Sequence, residues 1–370
     1  MNVKGLLRIL FLNAMSAFIF ISLRIKFRKK CAVSQNKILF INSGLLGDNI
    51  LSSLILVNDR LFYKRKDVSI LLDEKYSTLF SNYTGSVKII YYNLEKYRYG
   101  MKYRIELLKK IRCEGFEEIF NINFVRHTID DELAVIGTCH RSYAFENNKK
   151  LVRFFEGLYT KCFSKIISLT SGNNFDELST LIKTITSQDV FASTKLFLNQ
   201  RQNKLLLDLI TNKYIIIAPL SSKSVKEYHL KNYLELINHV LLNYDLSIVI
   251  VGDREIQISR TTNERLINLT GRTNLMEVLQ LIKDCRVFIG NDSGLFHAAI
   301  ALGKKSIGIV GGGVWGRIYP YTNSKRVHYI YKYMECFNCD WHCIYKEPKC
   351  LSEIDKIELI GLIDENIKNE

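Results

Sequence analysis

The chain of 370 residues exceeds what one ordinary hydrophobic core accommodates and suits two domains. Apolar residues make up 47% of it and charged residues 24%, which is typical of a globular protein and excludes general disorder. The net charge of +15 favours an anionic membrane surface and phosphate-bearing substrates as partners, whereas the sequence lacks the aromatic-interleaved basic patch that would indicate nucleic acid.

The first thirty residues combine an apolar run with seven basic residues and no acidic residue. The run from Ile9 to Leu23 would make a helix of about 22 Å, which is shorter than the roughly 30 Å hydrocarbon core of a bilayer. Basic residues flank it on both sides, and no small-residue cleavage site of a signal peptide follows. We therefore predict that residues 1–30 form a helix that lies in a membrane interface. A single membrane span and a helix packed on the protein's own core are the alternatives.

The following segment has the alternation of strands and helices that is typical of a parallel sheet. A predicted strand from Lys37 to Asn42 is followed by a loop that ends in Gly47 and Asp48, and then by an apolar helix. Further predicted strands cover Val68–Leu72, Val87–Tyr91 and Glu118–Asn121. The pattern weakens after residue 149, so residues 37–205 are predicted to form one Rossmann-like domain, with its boundary near residues 195–212.

The Asp48 carboxylate, which follows the first predicted strand, has two interpretations. A carboxylate within hydrogen-bond reach of a hydroxyl group can take its proton and act as a general base. A carboxylate at the start of a helix can also simply cap that helix.

Residues 210–350 are predicted to form a second Rossmann-like domain, and a helix is predicted for residues 351–370. The most informative part of the second domain is the segment 285–313, whose pattern predicts a strand, a helix, a second strand and then three glycines. Asp292 ends the first strand, and the helix begins at Ser293, so its free N–H groups favour a bound diphosphate. Gly294 permits close approach of a ligand, and His297 lies one turn further along on the side of Ser293. The alternative is that Asp292 caps the helix and His297 packs in the core.

The chain has nine cysteines, an odd number that makes a poor disulfide framework and favours a reducing cytoplasm. Four of them form a cluster near the C-terminus. Four thiols within fifteen residues suit a tetrahedral structural zinc site, and unligated cysteines are the alternative. The predicted zinc ligands are Cys336, Cys339, Cys343 and Cys350.

The sequence Asn291-Asp-Ser-Gly-x-x-His297-x-Ala, followed by Ala-Leu-Gly303, a strand and a glycine, resembles the donor-site motif of glycosyltransferase family 9. These proteins are heptosyltransferases of lipopolysaccharide core synthesis and their relatives. The resemblance implies an α/β protein with the GT-B fold, in which two Rossmann-like domains face a cleft. Here it would carry an N-terminal apolar helix and a C-terminal cysteine-rich segment.

The resemblance also implies the reaction. An inverting glycosyltransferase would move a sugar, heptose or another hexose, from a nucleotide-sugar such as ADP-heptose to a hydroxyl of the lipopolysaccharide core or another bacterial surface glycan. The enzyme would need no catalytic cofactor and would lie on the cytoplasmic face of the inner membrane. Asp48 would be the catalytic base, and Lys226, Asp292, Ser293, Gly294 and His297 would bind the donor.

Two alternatives belong to other functional classes. A nucleotide-sugar epimerase can use the same double fold without an acceptor. A zinc-stabilised nucleic-acid-binding protein would account for the positive charge and the cysteines.

Overall fold

We describe the protein from a computed structural model. The structure describes residues 34–368 except 66, 139, 148–158, 200–212, 259–262 and 321–323, together with residues 14, 15, 18, 19 and 22. The chain divides into two compact units, Met1–Phe191 and Ala192–Glu370. Much of the predicted boundary region, 195–212, lies outside the described residues.

The first unit contains a six-stranded sheet whose strands all run parallel, in the order β3-β2-β1-β4-β5-β6. The strands are β1 (Ser34–Ile41), β2 (Asp67–Asp73), β3 (Lys88–Tyr92), β4 (Phe116–Asn121), β5 (Arg141–Phe145) and β6 (Lys165–Ile167). The helices are α1 (Leu46–Val57), α2 (Leu94–Tyr99), α3 (Met101–Cys113), α4 (Thr128–Gly137) and α5 (Asn174–Thr186).

Helices α3 and α4 cover one face of this sheet and are joined by a buried ion pair. The Arg104 Nε lies 2.6 Å from the Glu132 Oε1, and both side chains are fully buried. The hydroxyls of Tyr97 and Tyr159 donate to the two oxygens of the same carboxylate, at 2.8 and 3.2 Å. These hydrogen bonds compensate for removing the carboxylate from water, so Glu132 serves the packing of the unit.

The described residues of the predicted membrane helix are helical and pack against the same core. Met15 is 8% exposed and Ile19 is 1% exposed, and both contact the cluster that contains Leu39 and Leu133. Phe18, in contrast, is 65% exposed. The alternative of a helix packed on the protein's own core is therefore correct for this face. The rest of the predicted segment 1–30 lies outside the described residues. In the part of the chain that is described, no helix has the length and apolar character needed to cross a bilayer.

The second unit repeats the architecture with strand order β12-β11-β10-β7-β8-β9, again all parallel. Its strands are β7 (Tyr214–Ala218), β8 (Ser247–Ile250), β9 (Leu266–Asn268), β10 (Val287–Asn291), β11 (Lys305–Ile309) and β12 (Val327–Ile330). Its helices are α6 (Leu230–Asn243), α7 (Leu275–Asp284), α8 (Gly294–Ala301), α9 (Lys349–Ser352) and α10 (Lys356–Lys368).

Both faces of the second sheet are buried, as expected for a parallel sheet between helices. Ile215 and Ile217 of β7 belong to one apolar cluster, and their neighbours Tyr214 and Ile216 belong to the cluster on the opposite face.

The strand order of each unit creates a switch point, where the order of the strands reverses. It lies between β1 and β4 in the first unit and between β7 and β10 in the second. The loops at the carboxyl ends of such strands are the usual ligand sites of open α/β sheets.

Candidate functional site

Asn291 at the end of β10 joins the loops of the second switch point. Its side chain is fully buried. The Oδ1 accepts hydrogen bonds from the Tyr228 backbone N–H at 3.1 Å and from the Tyr233 hydroxyl at 2.8 Å, and the Nδ2 donates to the Pro219 carbonyl at 2.6 Å. Asn291 thereby fixes the loop after β7 beside the end of β10.

This arrangement brings Lys226 and Asp292 together across 66 positions of sequence. The Lys226 Nζ lies 2.7 Å from the Asp292 Oδ2, and the two side chains are 15% and 3% exposed. The Ser221 hydroxyl donates to the Asp292 carbonyl at 3.0 Å. A lysine and a carboxylate, both largely removed from water, thus lie at the carboxyl edge of the sheet, where their electrostatic interactions are stronger than in solvent.

Tyr319 connects Asp292 to His297. Its hydroxyl donates to the Asp292 Oδ1 at 2.9 Å and lies 3.1 Å from the His297 Nε2. The imidazole stacks on the phenol ring with centroids 5.4 Å apart. Because the hydroxyl proton points to Asp292, we assign the His297 Nε2 as the protonated nitrogen that donates to the Tyr319 oxygen. Burial lowers the pKa of His297 to about 4, so the imidazole is neutral near pH 7.

The N-terminus of α8 lies beside this network. Ser293 is the N-cap residue, but its side chain does not cap the helix, and its buried Oγ has no hydrogen-bond partner among the described residues. Gly294 begins the helix. Asp292 is not a simple helix cap. The N-cap residue of α8 is Ser293, and the Asp292 carboxylate accepts hydrogen bonds from Lys226 and Tyr319. An N-terminus with a buried unsatisfied hydroxyl beside a lysine is suited to an anion.

Asp48 lies in the other unit, in the first turn of α1. Its side chain is exposed, and its Oδ2 accepts a hydrogen bond from the Leu45 N–H at 2.8 Å. A Cβ atom at Gly44 would come within 2.4 Å of the Asp48 Cβ, so glycine is needed for the loop to close over this side chain. The cap interaction is thus present, and the carboxylate remains open to solvent.

The chain matches the model of glycosyltransferase family 9 (heptosyltransferase) over residues 182–344. It is 24% identical to lipooligosaccharide heptosyltransferase 2 of Campylobacter jejuni over 88% of this chain and 96% of the relative. Among solved structures, it resembles a family 9 glycosyltransferase from Veillonella parvula (TM-score 0.69, 16% identity, 92% and 100% coverage) and the E. coli ADP-heptose LPS heptosyltransferase II (TM-score 0.64, 15% identity, 90% and 98% coverage).

The chain is similar to glycosyltransferase family 9 (heptosyltransferase). It is a glycosyltransferase of the heptosyltransferase type, and the two structural similarities confirm the predicted GT-B fold. The epimerase and the nucleic-acid-binding protein are not favoured by these findings.

In this glycosyltransferase, the cysteine-rich segment packs on the loop after β11. A Cβ atom at Gly312 would lie 2.0 Å from the Phe337 ring, and one at Gly313 would lie 2.4 Å from the Trp341 ring. The Asn338 and Asp340 backbone N–H groups donate to the carbonyls of Gly312 and Gly313, at 2.8 and 3.0 Å. The triple glycine is therefore explained by the segment that covers it.

The four predicted zinc ligands lie in this covering segment. Desolvation raises the pKa of the Cys339 and Cys350 thiols, and the neighbouring cysteine thiols raise both pKa values further. Within the described ranges, however, no three His, Cys, Asp or Glu side chains are arranged to hold a metal ion. Zinc at Cys336, Cys339, Cys343 and Cys350 therefore stays a prediction.

Two residues of the site were missed from the sequence. Tyr319 carried no signal because it is one of 20 tyrosines and follows Asp292 by 27 positions. Trp341 lies in the cysteine-rich segment, yet its ring centroid is 5.2 Å from the Lys226 Nζ. The triple glycine was the one available signal, since three consecutive glycines predict a close approach of another group to the backbone.

Proposed function

We propose that this enzyme transfers a heptose from ADP-heptose to a hydroxyl of a lipopolysaccharide core, with inversion at the anomeric carbon. One observation carries the proposal: the buried Lys226–Asp292 pair lies at the N-terminus of α8, where both a diphosphate and a sugar find partners. The name of the E. coli structural neighbour, an ADP-heptose LPS heptosyltransferase, supports the choice of donor.

On the donor side, Lys226 and the N–H groups at the start of α8 bind the diphosphate. The bond between the anomeric carbon and the diphosphate oxygen breaks, and the electron pair leaves with the diphosphate. Because His297 is neutral, Lys226 and the helix N-terminus supply the positive potential that stabilises this developing charge. Asp292 accepts hydrogen bonds from hydroxyls of the sugar. No cofactor is assigned to any of these steps.

On the acceptor side, Asp48 is the general base. The acceptor oxygen forms the new bond to the anomeric carbon, and its proton passes to the Asp48 carboxylate. The exposure of Asp48 supports this role, because an acceptor hydroxyl arriving from solvent can reach it.

The enzyme is further proposed to act on the cytoplasmic face of the inner membrane, held there by its N-terminal residues. The seven basic residues among the first thirty and the exposed ring of Phe18 support this location. Since Met15 and Ile19 are part of the core, deletion of residues 1–30 would destabilise the protein as well as release it. Single substitutions separate the two effects.

Phe18→Ser should weaken binding to vesicles of phosphatidylglycerol and phosphatidylcholine about tenfold and leave the free energy of unfolding nearly unchanged, because the ring is exposed. Ile19→Ala, the matched neighbour, should lower the free energy of unfolding by about 2–5 kcal/mol. Vesicle sedimentation and denaturant unfolding measure the pair. Equal vesicle binding by Phe18→Ser and the unaltered protein would contradict the membrane proposal.

The reaction is tested by incubating the protein with ADP-heptose and a lipopolysaccharide core that lacks heptose, and by detecting the added heptose by mass. Thermal unfolding with ADP-, GDP- and UDP-sugars tests the donor separately, since a ligand at about 100 times its Kd stabilises by about 2.7 kcal/mol. Stabilisation by a GDP- or UDP-sugar alone would overturn the proposed donor.

A further inference from the structure

The similarity to family 9 leaves the triple glycine and the cysteine-rich segment of residues 336–350 without a function. The two features meet at Trp341. Its indole packs on the loop so closely that a Cβ atom at Gly311 would lie 2.6 Å from the ring, and one at Gly313 would lie 2.4 Å from it. Any larger residue at these positions would push the ring away from the loop.

The backbone around Trp341 is held in an uncommon conformation. Asn338, Asp340 and Trp341 have φ angles of 66°, 55° and 63°, in the left-handed region that residues other than glycine rarely adopt. Such strain persists where the surroundings over-determine it. Here the hydrogen bonds to Gly312 and Gly313 and an ion pair between Arg317 and Asp340 hold the segment in place.

The consequence is a fixed aromatic ring next to the lysine of the donor site. The Lys226 Nζ lies 5.2 Å from the Trp341 ring centroid and 2.7 Å from the Asp292 Oδ2. A lysine side chain has four rotatable bonds, and holding its ammonium group in advance reduces the entropy that a ligand must remove on binding. Because Lys226 is only 15% exposed, its attraction to the ring is stronger than at a solvated site.

We propose that Trp341 is a positioning residue for Lys226, so that the cysteine-rich segment forms a wall of the diphosphate site. This inference rests on the proposed function, in which Lys226 binds the diphosphate, and it adds a residue that positions Lys226. The ligand class is a nucleoside diphosphate, whichever base it carries. Trp341 acts on the ligand through Lys226, and the triple glycine is the surface that lets the indole come close enough.

The test is calorimetric titration of the full-length chain with ADP, GDP and UDP, and with the matching nucleosides, which lack the charge that Lys226 binds. Trp341→Leu should bind the preferred diphosphate about threefold to thirtyfold more weakly and the nucleoside as the unaltered protein does. Trp341→Phe, which keeps an aromatic face, should restore most of the affinity. In a double variant with Lys226→Gln, the loss from Trp341→Leu should disappear, because residues that act together are not additive.

Tyr345→Leu is the matched control, since Tyr345 lies under Lys349 in the same segment, at 5.0 Å. It should leave diphosphate binding unchanged. If Trp341→Leu does not fold, Gly313→Ala displaces the indole without removing it and should produce the same selective loss.

Unchanged diphosphate affinity in Trp341→Leu, equal losses for nucleoside and diphosphate, or failure of Trp341→Phe to restore binding would each overturn the inference. A preference of the unaltered protein for GDP or UDP would instead overturn the proposed donor, and the comparison of variants would then be read with that nucleotide.

Discussion

At the carboxyl end of β10, Asp292 is 3% exposed and bonded to Lys226 and Tyr319, whereas beyond the carboxyl end of β1, Asp48 is exposed to solvent. Both residues lie at switch points of sheets with the same strand order. The buried carboxylate is part of a hydrogen-bonded network with Lys226, Tyr319 and His297. The exposed carboxylate accepts a hydrogen bond from the Leu45 N–H and is open to solvent. In the proposed function, the donor side is thus preorganised, and the acceptor side is accessible.

Two other acids of the first unit, Asp130 and Asp131, differ from Asp48 in being buried. Asp130 accepts from the Ser43 hydroxyl at 2.5 Å and from the His127 N–H at 2.9 Å, and it is 1% exposed. Asp131 is equally buried, and it accepts from the Asn121 side chain and pairs with Arg126. These carboxylates serve the packing of α4 against β1 and β4. Asp48 is the exposed one of these three acids.

The comparison would fail if Asp48 were only a helix cap. Asp48→Asn keeps an oxygen for the Leu45 N–H but removes the proton acceptor. We expect turnover to fall about 10²–10⁴-fold while donor affinity stays nearly unchanged. Single-turnover rates and calorimetric titration of the donor measure the two quantities.

The control for this substitution is Asp355→Asn, because Asp355 is also an exposed cap, accepting from the Ile357 N–H at 2.8 Å. It should leave turnover unchanged. Transfer of sugar by Asp48→Asn at the unaltered rate would assign the residue to the cap alone.

The preorganised side is tested through the burial of His297. Its pKa of about 4 lies below the ordinary value of 6.5, so the unfolded chain binds this proton first as the pH falls. The contribution of His297 to stability is therefore complete above about pH 6.5 and is lost as the pH falls towards 4. Between pH 7.5 and 4.5 we expect this residue to account for about 2–3 kcal/mol of the lost free energy of unfolding.

Denaturant unfolding at both pH values checks this expectation. His297→Gln cannot take up the proton, so its stability should fall less than that of the unaltered protein. Identical losses in the two proteins would show that the imidazole is not held neutral.

A smaller effect divides the donor site into its diphosphate and sugar parts. Asp292→Asn removes a negative charge beside the diphosphate while keeping an oxygen for the Tyr319 hydroxyl. Binding of ADP should be unchanged or tighter, and binding of ADP-heptose should weaken by about 1–3 kcal/mol, because charge-assisted hydrogen bonds to the sugar are lost. Calorimetry with both ligands measures the difference. Equal losses for both would place Asp292 on the diphosphate.

Much of the fold followed from local patterns. Buried strands such as Tyr214–Ala218, alternating with helices, predicted two parallel sheets, and the motif from Asn291 to His297 predicted the family and the GT-B fold. The N-terminal helix was harder, because an apolar face that packs on a core and one that enters lipid have the same pattern. Only the structure shows that Met15 and Ile19 are buried in the core of the protein.

Site residues that lie within one sequence motif could be predicted. Site residues that only the fold brings together could not. Asp292 and His297 lie within one motif. Local reasoning could not exclude a helix cap for Asp292, because the Lys226 that occupies its carboxylate lies 66 positions away. The position of Trp341 beside Lys226 likewise could not be predicted from the sequence, since a tryptophan near cysteines does not indicate a donor site. The role of Asp48 as base and the zinc at the four cysteines stay predictions.

The ion pair between Lys226 and Asp292 bears on which molecules of a crowded cell enter the site. A lone lysine at a helix N-terminus would attract any small anion, such as inorganic phosphate. With Asp292 beside it, the lysine is part of an ion pair without net charge, and an anion gains little unless it also brings hydroxyls that satisfy the carboxylate. A nucleotide-sugar carries both groups. In the proposed function, the pair thereby favours a nucleotide-sugar over anions that bring no hydroxyl group.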